Sequence, residues 1–226
     1  MPNVPDILQS DVQRRRDEYL AALRFYRTEL DLPIFFLENS SYDVEGDEDF
    51  QNLFEQGIEL MKFPPSKHPE KGKGYQEFEV LDQAVSQLSE QYASIIKVTG
   101  RYIVENIKQL AGLSVSGIVA DLHRKMEVAI TGCFIADRKF YTEYFAGLYQ
   151  SCNDENGDWI ERVLYQTIKQ KELWARVDLF PENPIYKGVP GSHDGTLERH
   201  PLKMILRNAE RKVLKALNMH EFPYEY

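Results

Sequence analysis

Apolar positions along the chain change period several times, and each change marks an element. Over residues 10–30, Leu20, Leu23, Tyr26 and Leu30 recur at helical spacing, and Ser10 and Asp11 suit a helix start. Pro33 ends that pattern. Ile34-Phe35-Phe36-Leu37 then reads as a short buried strand running into polar Glu38-Asn39-Ser40-Ser41. Residues 43–56 read as a polar loop and a short helix. Ile58 to Phe63 is a second strand, closed by Pro64-Pro65. A helix is expected from Tyr75 to Gln91, a strand over 93–98, and a short helix over 102–110 after the turn Thr99-Gly100-Arg101. Ser116 to Leu122 and Val128 to Ile135 are further strands, the second a candidate antiparallel partner of the first. Helices follow over 138–149 and 157–171. Residues 178–198, rich in Pro and Gly, read as a loop over the site, and residues 201–217 as a C-terminal amphipathic helix opened by Pro201.

Strands alternating with helices predict an α/β domain over residues 1–226, with a single mostly parallel sheet and helices on both faces. In such a sheet the ligand sits outside the carboxyl ends of the strands. That rule gathers Glu38–Ser41, the loop Lys67–Gly74, Thr99–Arg101 and Asp121–Arg124 on one rim. The chain begins on a helix where such a sheet usually begins on a strand. Either the fold lacks that first strand, or the strand lies upstream of Met1.

Composition narrows the function classes. The formal charge is −9, with 27 Lys and Arg against 36 Asp and Glu. Residues 31–61 carry nine carboxylates (Asp31 to Glu59) and no Lys or Arg, so the remainder is balanced and holds cationic islands. An acidic total speaks against general nucleic-acid binding, which relies on cations against phosphates. There is no apolar run of bilayer length and no signal-peptide pattern at Met1, so the expected location is cytoplasmic. Cys133 and Cys152 are too few and too far apart for a disulfide framework or a cysteine zinc site.

Several groups carry candidate chemistry, each beside a plainer reading. Lys71-Gly72-Lys73-Gly74 precedes a helix and could cradle a diphosphate, or be a solvated basic loop. Arg101 could clamp a phosphate with its planar fork, or sit exposed in an ordinary turn. Glu77 and Glu79 could take sugar hydroxyls, or stabilise a helix start. Glu161 could serve as a general base, or pair with Arg162 or Tyr165. The acidic loop 43–49 lacks the EF-hand order and reads as a solvated charge run. The five histidines show no metal-binding spacing. The last helix combines an apolar stripe with flanking Lys and Arg. It suits either docking on its own domain or resting on an anionic membrane surface at the inner face of the membrane.

Taken in order, Arg15–Tyr26 (RRDEYLAALRFY), Ile34–Ser40 (IFFLENS), Gly72–Glu79 (GKGYQEFE), Ile96–Tyr102 (IKVTGRY), Asp158–Tyr165 (DWIERVLY) and Gly188–Gly195 (GVPGSHDG) resemble bacterial GT-A-type glycosyltransferases of lipopolysaccharide and capsule biosynthesis. The resemblance implies a nucleotide-diphospho-sugar-transferase fold. It also implies transfer of a sugar from a nucleotide-sugar donor to a hydroxyl of a glycan or lipid-linked acceptor. On it, Glu38, Asn39 and Ser40 lie at the nucleotide end, Lys71, Lys73 and Glu77 line the donor site, and Thr99 and Arg101 follow the strand. Glu161 is the acceptor's base. Thr99-Gly100-Arg101 stands where many of these enzymes carry a metal-binding Asp-x-Asp. A divalent cofactor therefore has no motif here, and Lys73 and Arg101 would take over the charge. The alternative is a non-catalytic domain of that fold that binds a partner in the same pathway.

Overall fold

The computed structural model describes residues 12–187 and 201–223. Ser10, the segment Gly188–Gly195 and most of the expected loop 178–198 lie outside them. The elements run in chain order as α1 (Val12–Glu29), β1 (Ile34–Glu38), α2 (Glu48–Glu55), β2 (Ile58–Lys62), α3 (Lys73–Gln87), β3 (Ser94–Val98), β4 (Ile103–Val104), α4 (Ile107–Ala111), β5 (Ile118–Val119), β6 (Leu122–His123), β7 (Val128–Ala129), β8 (Cys133–Asp137), α5 (Arg138–Tyr144), α6 (Ile160–Gln170), β9 (Val177–Asp178), β10 (Tyr186–Lys187) and α7 (Pro201–Ala216).

The chain is a mixed α/β structure, but the expected single parallel sheet is replaced by several small ones. β1 and β2 pair in parallel, with Ile34 opposite Ile58 and Glu38 opposite Lys62. A separate four-stranded sheet has the order β3-β8-β5-β9. In it β8 runs antiparallel to both β3 and β5, and only β5–β9 is parallel. The antiparallel pairing of the segments around 118 and 133 follows the sequence expectation; that of β3 with β8 does not. The physical reason is the connection. A long excursion through β4, α4 and the β6–β7 hairpin brings the chain back to β3 from the opposite end, and an excursion of that length leaves strand direction free. Residues 177–178 and 186–187, inside or beside the expected loop, form short strands on β5 and β4.

Two helices hold these pieces together. α1 packs Leu20 and Leu23 against Phe36, Phe50 and Ile58, and packs Ala22 and Tyr26 against Val119, Cys133 and Ile135. The Tyr26 hydroxyl also donates to the Tyr102 carbonyl at 2.7 Å and accepts from the Val104 amide at 2.9 Å. α3 buries Phe78 and Leu81 against Phe134 and Ala136, and packs Val80 and Ala84 near Leu37 and Phe63. Each helix therefore touches both the β1–β2 pair and the four-stranded sheet. Among the described residues β1 pairs only with β2, and β3 only with β8. The other edge of each strand borders a common space between the two helices.

Candidate functional site at the mouth of the interstrand cavity

That space is a cavity of about 610 Å³. All of β1 and all of β3 line it, with α1 and α3 forming its other walls. Its interior is apolar (Leu23, Phe35, Ile96, Leu81). Phe35 meets Tyr92 where both strands begin, with ring centroids 5.5 Å apart. Their carboxyl ends meet at the other end. There Tyr19 lies against Phe36, and its hydroxyl feels Arg101, Arg15, Glu38 and Glu77. Burial, the largest influence, raises that hydroxyl's pKa, and the two arginines oppose the shift.

The mouth is where the sequence-derived residues gather. Glu38, Asn39, Ser40, Lys73, Glu77, Thr99 and Arg101 all line the cavity. Glu38 accepts from the Ser40 amide, which folds the end of β1 back over itself. Gly100 lets the turn pass over Tyr19, because a Cβ there would stand 2.6 Å from the ring. Arg101 reaches Glu18 at 3.0 Å, so it is held in place by α1 rather than exposed in the turn.

Two expected members stand elsewhere. The Lys71 ammonium sits over the Tyr75 ring at 5.7 Å and is not among the cavity's lining residues. Asp121–Arg124 does not join the rim: Asp121 pairs with Arg211, and His123 is buried beside Phe222. Nor is the first turn of α3 an open anion cradle. Gly72, at φ +106°, carries the chain so close to Asp154 that a Cβ would fall 1.9 Å from Oδ2. The Lys73 amide donates to that oxygen at 3.2 Å. The chain's own carboxylate thus takes up part of the positive helix end.

Glu161 stands outside the cavity but is wired to it. Its Oε1 accepts from the Thr131 hydroxyl at 2.6 Å, not from Arg162 or Tyr165. The Thr131 carbonyl accepts from the Lys97 ammonium at 2.5 Å. Lys97 also reaches Thr99 Oγ1 at 2.9 Å and Glu77 Oε1 at 2.7 Å, and Thr99 donates to the same Glu77 oxygen at 2.8 Å. Lys97 is 7 % exposed. A buried ammonium needs its three donors matched, and here they are. It fixes the Glu77 carboxylate, about one-third exposed, at the mouth.

Sequence reasoning passed over Lys97 and Arg15. The signal for Lys97 was present: a lone lysine among Ile95, Ile96 and Val98 in an apolar strand. Arg15 lines the mouth too, and its buried Nε has no hydrogen-bond partner. Its place in the first turns of α1 hid it among Arg14 and Arg16. Arg16 has a different task. It grips Asp47 and Asp49, and Arg24 and Lys62 reach Asp49 and Glu45, so the acidic loop is partly neutralised by specific ion pairs rather than merely solvated.

Among the described residues no three His, Cys, Asp or Glu side chains are grouped to hold a metal ion. Burial pushes the Cys133 and Cys152 thiols up to about 12, far from thiolate nucleophiles. The mouth therefore offers cations (Arg15, Lys73, Arg101) around a fixed carboxylate and hydroxyl (Glu77, Thr99). Donors of this kind match a polyanion that also carries hydroxyl groups, although Glu38 stands among them and Glu18 already shares Arg101. No family model and no curated protein matches the chain.

Proposed function

We propose that the protein is a glycosyltransferase that moves a sugar from a nucleotide-sugar donor to a hydroxyl of a cell-surface glycan. The observation that supports it best is the convergence of Arg15, Lys73, Arg101, Glu77 and Thr99 where β1 and β3 end. On this reading the diphosphate lies against the three cations, and Glu77 receives a ribose or sugar hydroxyl. Glu161 takes the proton of the acceptor hydroxyl as its oxygen bonds to the anomeric carbon. The bond from that carbon to the diphosphate breaks, and the departing negative charge falls beside groups already in place, the arrangement that lowers a barrier most. The acceptor would approach from the α6 side, where Glu161 lies. Thermal unfolding with UDP, GDP, CDP and CMP tests the donor half. A ligand at a hundred times its Kd adds about 2.7 kcal/mol, which for a chain of this size raises Tm by roughly 5–11 °C. A shift with one nucleoside diphosphate is expected; no shift with any of them would count against the reading.

A second reading is favoured by the cavity itself. Backbone N–H and C=O groups on the open edges of β1 and β3 are best satisfied by an extended polypeptide, which a nucleotide cannot mimic along the apolar interior. On that reading the chain is a non-catalytic domain that binds a partner by strand addition. Amide exchange separates the two. Protection confined to residues 34–38 and 94–98 on adding a partner would favour it, whereas protection at residues 73–77 and 99–101 on adding a nucleotide would favour the transferase.

A further inference from the structure

The last helix is docked the opposite way round from an ordinary amphipathic helix. It turns a charged residue inward and its apolar stripe outward. Arg211 is 2 % exposed and Leu214 5 %, and among the described side chains of α7 these two are the buried ones. Leu202, Ile205, Leu206, Val213 and Leu217 are 57–69 % exposed. At about 100° per residue these five, with exposed Ala209 and Ala216, fall within an arc of roughly 120°, and Arg211 lies opposite its centre. The stripe is therefore continuous along the helix and faces away from the body of the protein. Five large apolar side chains in one unbroken row, rather than scattered singly, are the pattern that marks an interaction surface.

Charge and area together point to which one. The helix carries Lys203, Arg207, Lys212 and Lys215 against Glu210 alone, once Arg211 is neutralised by Asp121. A second copy would bring the same basic flanks against each other. A stripe on a helix of 16 residues, about 24 Å long and 10 Å wide, also offers about 240 Å², against the roughly 800 Å² per partner of a stable dimer. An anionic lipid surface needs no shape complement. It buries the stripe among acyl chains and places Lys212, next to the stripe, at its headgroups. The net charge of −9 opposes this only weakly, since its source is residues 31–61. None of the groups that hold α7 (Asp121, Phe180, Asn183, Phe222) comes from that segment, and screening limits its reach to about 8 Å.

We propose that α7 is a membrane-surface anchor. It lies in the plane of an anionic bilayer, held to the domain by Arg211 and in the lipid by the outward apolar stripe. This goes beyond the transferase reading and does not depend on it. No described helix is long and apolar enough to cross a membrane, so the contact is interfacial. The test is cosedimentation of the full chain with phosphatidylcholine vesicles, with and without phosphatidylglycerol. Binding is expected only with phosphatidylglycerol and should weaken at high salt. Leu206→Glu should lower the partition coefficient at least about tenfold, because one fully buried leucine is worth that factor or more. Lys212→Glu should weaken the preference for anionic lipid. All these side chains are exposed, so unchanged near-ultraviolet circular dichroism is expected and shows that the variants fold. No binding to phosphatidylglycerol vesicles would overturn the proposal. So would binding indifferent to Leu206→Glu, or self-association by sedimentation equilibrium that Leu206→Glu abolishes while the protein ignores vesicles.

Discussion

Arg211→Met should destabilise the fold by about 3–5 kcal/mol, the range for breaking a buried ion pair from one side. The geometry places this pair at that end of the scale and not among surface bridges. Arg211 binds both oxygens of Asp121, at 2.7 and 2.6 Å. It also donates to the Phe180 carbonyl at 3.0 Å and to Asn183 Oδ1 at 2.8 Å, and its guanidinium stands 4.9 Å from the centre of the Phe222 ring. Methionine fills part of the volume but leaves Asp121, 8 % exposed, as a buried anion without its counterion, and leaves two acceptors unpaired. In a chain of this size the loss lowers Tm by roughly 6–20 °C. Asp121→Asn should cost a similar amount, because it strands the guanidinium. The double variant should cost clearly less than the sum, since the penalty of each single change is the charge left behind. Urea unfolding at constant m-value measures all three. Single-variant losses under about 1 kcal/mol, the value of exposed pairs, would refute the reasoning, as would strict additivity.

Asp47 caps α2 through the Asp49 amide and is gripped by Arg16, which holds its carboxyl well below the usual range. A carboxyl with a lowered folded pKa contributes stability above its unfolded pKa and loses it as pH falls. The advantage of the protein over Asp47→Asn should therefore be full at neutral pH and shrink from about pH 4 downward; equal acid unfolding curves would contradict this. Gly72→Ala must force both the left-handed φ and the Asp154 carboxylate, so a loss of about 2 kcal/mol or more is expected by urea unfolding, and a loss under about 0.5 kcal/mol would contradict this. Glu161→Gln should keep nucleotide binding and lose sugar transfer; unchanged turnover removes Glu161 from its role.

Local patterns made most elements legible and left their assembly hidden. α1, β1, β2 and β3 sit within a residue or two of where apolar period and the Pro33 and Pro64 breaks put them. The direction of β8 against β3 is fixed by contacts between residues some 40 apart, such as Ile95 with Ala136, and no local period encodes those. The mouth was legible because polar residues at strand ends are conspicuous after apolar runs. Asp154 was not, because its meeting with Lys73 depends on how α6 and the loop before it pack on α3. The outward stripe of α7 was legible as a stripe, and its direction was not. An arginine buried by Asp121 reverses the expectation that the apolar side turns inward, and only the three-dimensional pairing reveals it.

On the proposed function, the carboxyl ends of β1 and β3 hold a nucleoside diphosphate. Isothermal titration of UDP, GDP, CDP and CMP into the wild-type protein and into Arg101→Ala tests it most directly. At least one nucleoside diphosphate should bind, more tightly than CMP, and Arg101→Ala should weaken that binding at least about tenfold, as loss of a charged hydrogen bond to phosphate does. Heat from none of the four with a folded protein, or equal affinity in Arg101→Ala, would contradict it.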